Sequence, residues 1–114
     1  MSQPRQLDNP LYALIHDEKI SAFNAQKPKD NIVDLSDGDF RGLDLRALDA
    51  QGINFTNAYF RGTDLRGLDL RNAKLEGASL AHAQISGAYF PVELTADEIL
   101  MSVNFGTRLR YNTR

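Results

Sequence analysis

The sequence contains no cysteine. Disulfides, thiolate catalysis and cysteine-ligated metals are therefore excluded. Histidine is scarce: His16 and His82 are the two present, and they do not share the H-x-x-x-H spacing of a helical metal site. No apolar run approaches the length of a membrane-spanning helix. The first ten residues, MSQPRQLDNP, are polar and lack the apolar core of a secretion signal, so a soluble, cytoplasmic chain is expected. An excess of positive charge is also missing. The net charge of −2 argues against a protein that grips nucleic acid through its overall surface. No G-x-S-x-G motif or phosphate loop is found. The run Asp34-Leu-Ser-Asp37-Gly-Asp39 lacks the alternating acids of a calcium loop. Neither enzymatic activity nor a cofactor is expected. What remains, 114 residues with 42% apolar and 25% charged side chains, suits one ordinary folded domain.

A period of five runs through the middle of the chain. Every fifth residue from Leu35 gives Leu35, Phe40, Leu45, Ala50, Phe55, Phe60, Leu65, Leu70, Leu75, Leu80, Ile85 and Phe90, of which eleven are large and apolar. Two positions earlier lies a column of smaller or apolar residues, from Val33 and Gly38 to Ala83 and Ala88. Between the two columns stand Asp34, Asp39, Asp44, Asp49, Asn54, Tyr59, Asp64, Asp69, Lys74, Ser79, Gln84 and Tyr89. This period fits neither a helix nor a simple strand. It reads as three residues of strand, pointing in, out and in, followed by two residues of turn. Gly42, Gly52, Gly62, Gly67, Gly77 and Gly87 fall in the turns, with Asn57 and Asn72; these types tolerate the positive φ of tight corners.

A longer repeat suggests the number of sides. FRGLDLRALD (40–49) and FRGTDLRGLD (60–69) agree at eight of ten positions, whereas an offset of twenty-five matches six. Twenty residues make four sides, and twelve pentads over 33–92 make about three coils. Volume is exchanged between neighbouring interior positions. Leu48 is large where Ala50 is small, and Gly38 is small beside Phe40, the kind of swap a packed core tolerates.

AKLEG (73–77), ASLAH (78–82) and TDLRG (63–67) resemble the A-(D/N)-L-x-x unit of the pentapeptide-repeat family. The flanks are similar to those of short bacterial members. The resemblance implies an all-β solenoid, a right-handed four-sided β-helix of about three coils, here with short α-helical caps at both ends. The chain divides into an N-terminal tail, capping helix and linker (1–32), the repeats (33–92), and a C-terminal helix with a basic tail (93–114). Some family members protect topoisomerases by imitating duplex DNA. Such mimicry needs a long, strongly negative rod. Residues 33–92 hold seven Asp and one Glu against five Arg and one Lys, so arginines interrupt the acidic face and the three coils are short.

Open coil ends expose apolar cross-sections and need caps. At the front, Asn9-Pro10 starts a helix predicted over about 10–24, with Leu11, Leu14, Ile15 and Ala22 on one face and Phe23 near its edge; 25–32 reads as a polar linker. At the back, Thr95-Ala-Asp-Glu98 is a capping box and Gly106 a stop, predicting a helix over 96–105. Its apolar residues either lid the last coil or meet a second copy.

The function expected is that of a non-catalytic scaffold whose rigid walls bind a protein partner. Exposed Tyr59 and Tyr89 are the candidate anchors. A homodimer through Ile99, Leu100, Val103 and Phe105 is the self-association alternative. The tail residues Arg108, Arg110, Tyr111 and Arg114 read as a solvated basic end, or as a contact to nucleic acid or the ribosome. Asp and Arg columns twenty residues apart would place like charges together unless mixed-sign ladders form.

Overall fold

The structure is a computed structural model and describes residues 3–112. The elements in chain order are α1 (Pro10–His16), α2 (Ile20–Gln26), β1 (Val33–Asp34), β2 (Ile53–Asn54) and α3 (Ala96–Phe105). β1 and β2 pair in parallel, Val33 with Ile53 and Asp34 with Asn54. The same twenty-residue register continues as isolated parallel bridges, Asp39 to Tyr59 to Ser79, Asp44 to Asp64 to Gln84, Asn54 to Lys74, and Asp69 to Tyr89. Residues 33–52, 53–72 and 73–92 thus lie on one another as three tiers with four lines of contact. Regular strand is confined to two residues in each of two segments. The three-residue strands expected for an all-β chain are corrected to pairings of one or two residues, because the corners follow too closely for a ladder to extend.

Backbone hydrogen bonds carry the register. Leu45 N–H donates to the Asp64 carbonyl at 3.0 Å, and Leu65 N–H to the Gln84 carbonyl at 2.9 Å. Asp64 N–H donates in the opposite sense, to the Leu43 carbonyl at 2.9 Å. Between 47–50 and 66–69 this zipper is interrupted, and a cleft of about 110 Å³ opens beside Leu48, Ala50, Asp69 and Asn72. The interruption coincides with the Leu48–Ala50 volume exchange.

Leu35, Phe40, Leu45, Phe55, Phe60, Leu65, Leu70, Leu75 and Leu80 are fully buried along the middle of the stack. Phe40, Phe55 and Phe60 form a cluster: Phe40 stacks on Phe60 with centroids 5.4 Å apart, and Phe55 meets Phe60 edge-on at 5.1 Å. Ile85 and Phe90, expected inside, are only partly buried. They end the stack, and no fourth tier lies above them.

The predicted single helix over 10–24 is two helices, broken at Asp17–Lys19 with Glu18 at φ 60. In one continuous helix Lys19 would share a face with Tyr12, Ile15 and Phe23. The break leaves Lys19 exposed while those three stay buried. Tyr12 hydroxyl donates to the Asp39 carbonyl at 2.8 Å, and its ring meets Phe40 edge-on. His16 packs at a tilt against the ring of Tyr12 and contacts the Asp39 carbonyl. Arg5 adds a further rung to the first tier, donating to Asp37 and accepting from Asp39. The linker is not inert: Lys27 is buried, and its Nζ donates to the Gln51 carbonyl at 2.6 Å beside Asp49. No helix among the described residues is long and apolar enough to cross a membrane.

Candidate functional site

The outward column between the two interior columns has a backbone task. Asp44 Oδ1 accepts from Arg46 N–H at 3.1 Å, and Asp34, Asp39, Asp49, Asn54, Asp64 and Asp69 accept from residues 36, 41, 51, 56, 66 and 71 in the same way. Each acid or amide thereby closes the corner that follows it, the Asx turn of short polar side chains. At four of these corners the residue two positions on is arginine, which returns to grip the same carboxylate. Arg46 Nη2 reaches Asp44 Oδ2 at 2.7 Å; Arg66 and Arg71 reach Asp64 and Asp69 at 2.8 Å; Arg41 holds Asp39 through both oxygens. Arg46 Nε also stands 3.3 Å from Asp64, tying the first tier to the second. Bridged Asp44 and Asp64 are thus separated by guanidinium groups. Hydrogen bonds from these arginines hold the carboxyls of Asp44 and Asp69 at about 2, and those of Asp39 and Asp64 below their usual value.

The two tyrosines of this column differ. Tyr89 is exposed, with the Arg71 guanidinium 4.8 Å above its ring centre. Tyr59 is half-buried rather than exposed: Arg108 lies 5.3 Å over its ring and donates to its hydroxyl at 2.7 Å. Arg108 comes from the tail, so the expectation of a solvated basic end is corrected. The tail lies along the third tier. Ser79 and Arg108 form an antiparallel bridge, Gly77 N–H donates to the Leu109 carbonyl, and Leu109 N–H donates to the Ala78 carbonyl, both at 2.8 Å. Leu109 is buried, Tyr111 hydroxyl accepts from Leu75 N–H at 2.9 Å, and Arg110 pairs with Glu98 at 3.0 Å. Arg114 lies outside the described residues. The signal was present as alternation, Arg108-Leu109-Arg110-Tyr111, which is the pattern of a half-buried strand.

α3 spans the interval predicted for it, with Thr95 Oγ1 accepting from Glu98 N–H and Gly106 left-handed at φ 73. Ile99 and Val103 turn toward the core, while Leu100 and Phe105 face outward, as does Met101, which the sequence reading missed. Ser102 is fully buried: its hydroxyl accepts from Leu80 N–H at 2.8 Å and donates to the Thr107 carbonyl at 2.6 Å. His82 stands exposed at a corner with φ 55.

What these features define is a repeat-built scaffold with a packed middle and a patterned charged exterior. The pentapeptide-repeat model matches eight copies, over residues 33–62 and 53–90, and the chain belongs to that family. Neither a curated protein nor a solved structure matches it.

Proposed function

We propose that the three tiers form a right-handed, four-sided β-helix that serves as a non-catalytic protein-binding scaffold. Family membership supports the coarse reading, a module for protein interaction. One observation carries the finer one: Tyr89 is open to solvent with Arg71 over its ring, while Asp69 holds that arginine through its Nε and Nη2. Tyrosine and arginine are favoured anchors of protein interfaces, and a pre-ordered pair loses less freedom on binding. The partner docks on the side carrying Asp69, Arg71 and Tyr89. A photo-crosslinking residue at position 89 in cells tests this. A discrete crosslinked product, lost when Arg71→Glu is added, is expected. Labelling no stronger than that from position 61 on the opposite side would defeat it.

A second reading is a homodimer through the outward side of α3, favoured by the exposure of Leu100, Met101 and Phe105. Light scattering at micromolar concentration tests it, and a monomer throughout removes it. Two alternatives are weaker. Arg108, Arg110 and Tyr111 are engaged by the chain itself, which weighs against nucleic-acid or ribosome contact through the tail. The arginines that grip Asp44, Asp64 and Asp69 interrupt the negative face that DNA mimicry needs.

A further inference from the structure

The lid on the third tier covers half of it. On one side of α3 the edge of residues 75–82 is satisfied throughout. Leu75 N–H meets the Tyr111 hydroxyl, Gly77 and Ala78 meet Leu109, Leu80 meets Ser102, and His82 N–H meets the Val103 carbonyl at 2.9 Å. On the other side the rung continues without a cover. In the tiers below, the N–H groups of Leu65, Gly67 and Leu70 donate upward to Gln84, Ser86 and Tyr89. Their counterparts one tier higher, the N–H groups of Ile85, Gly87 and Phe90, have no partner among the described residues, and neither do the carbonyls of Ala83 and Ala88. Ile85, Ala88 and Phe90 remain partly exposed, and Val92 is 92% exposed.

Two further observations bear on this edge. Natural edge strands are guarded by charge, yet residues 77–92, GASLAHAQISGAYFPV, contain no Asp, Glu, Lys or Arg. This is also the rung whose other half already shows what covers it: an extended antiparallel segment, Arg108–Tyr111, with an apolar residue, Leu109, turned inward. α3 supplies a wall for the uncovered half. Glu98 and Ser102 face the tail, so at 100° per residue Ala96, Leu100 and Val103 lie on the opposite side.

We propose that the rung 83–92 is a strand-addition site, which takes an extended, uncharged segment of a partner protein in antiparallel pairing, with an apolar side chain against Ile85 and Phe90. Main-chain hydrogen bonds give such sites affinity, and the pockets for alternate side chains give selectivity. The inference rests on the reading of the chain as a protein-binding module, but uses the backbone edge rather than the Arg71–Tyr89 side.

The test is selection of a displayed library of random twelve-residue peptides on the full chain, followed by amide hydrogen exchange with the selected peptides. Selected peptides rich in β-branched or aromatic residues and poor in charge are expected, with protection of the Ile85, Gly87 and Phe90 amides. Leu100→Lys, at an exposed position, should weaken them roughly tenfold or more, since it brings an ammonium to an apolar contact. Phe105→Ser, on the tail side of α3, should leave them unchanged, and urea unfolding confirms that both variants fold. No selected peptide, or peptides that leave the three amides unprotected, would overturn the proposal. So would concentration-dependent protection of those amides by dimerisation alone, since the occupant is then a second copy. Arg71→Glu should not affect peptide binding, so failure here and failure of the side-wall reading are separable.

Discussion

Truncation of Phe60 to alanine probes the part of the molecule from which the rest takes its position. Phe60 is 1% exposed and lies in the middle tier, stacked on Phe40 at 5.4 Å and edge-on to Phe55 at 5.1 Å. Its N–H donates to the Ser79 carbonyl, so the backbone on both sides is pinned and collapse around a void is limited. Removing a buried phenylalanine ring typically costs about 3–5 kcal/mol, the upper part applying where the site cannot relax. Each aromatic pair contributes about 0.5–1.5 kcal/mol beyond area burial, a share of that total. Domains of this size have roughly 5–15 kcal/mol to lose, so the variant should fold with a much lower urea midpoint. Equilibrium unfolding followed by far-ultraviolet circular dichroism measures it. An unchanged dependence on urea would show that the loss lies in the native packing. A double-mutant cycle with Phe55→Leu should show coupling of about 0.5–1.5 kcal/mol. A loss below about 1 kcal/mol for Phe60→Ala, outside the core-truncation range, would refute the packed aromatic centre.

Ser102→Ala leaves Leu80 N–H and the Thr107 carbonyl without their shared partner. A loss of about 1–3 kcal/mol is expected, the cost of an unsatisfied buried group, read by thermal melting. Gly38→Ala would place a methyl group 2.8 Å from the Phe40 ring and 3.0 Å from the Leu35 carbonyl; overpacking of this kind costs about 1–3 kcal/mol, and Gly38→Ala with Phe40→Leu should recover part of it in urea. The carboxyls of Asp44 and Asp69 are lowered from 3.8 to about 2 by arginine hydrogen bonds. Because the folded pKa is the lower one, their stabilisation is complete above the unfolded value and is lost as pH falls through about 2. Their carboxyl carbon shifts in a nuclear magnetic resonance titration should therefore stay constant until well below pH 3.8; ordinary midpoints would refute the arginine grip. Asp69→Asn keeps an oxygen for the Arg71 N–H and removes the charge, whereas Asp69→Ala removes both, so the alanine variant should be the less stable in thermal melts.

The five-residue phase in the sequence placed nine of its twelve positions, from Leu35 to Leu80, as large side chains that the structure buries completely. Ala50 is also buried, though small. Ile85 and Phe90 keep the phase and pack against the core but are only partly buried, because periodicity describes a tier and says nothing of what lies above it. The broken N-terminal helix had a readable cause in Lys19, which a continuous apolar face would have buried. The tail was misread because its arginines were counted as charge, while Leu109 and Tyr111 between them are what dock.

The sequence suggests mixed-sign Asp and Arg ladders along the outward columns, and the hydrogen bonds give these acids a further task. At seven corners an Asp or Asn accepts the N–H two residues on, so such a corner itself selects a short acceptor side chain. The arginine that follows then shields the charge the corner required. Paired columns are therefore explained by folding, and they carry little information about a partner. The informative positions are those where the corner acceptor is given up: Tyr59, Lys74, Gln84 and Tyr89. Tyr59 is accounted for by Arg108. Gln84 and Tyr89 lie in the third tier within the uncharged rung, the longest stretch of the repeats without Asp, Glu, Lys or Arg. If corner chemistry alone dictated this column, restoring the pattern with Gln84→Asp and Tyr89→Asp should be neutral or stabilising in thermal melts. If that end of the coil is kept uncharged for binding, the same double variant should fold as well as the parent and lose its selected peptides. Retained binding by a stable double variant would separate the loss of charge from recognition.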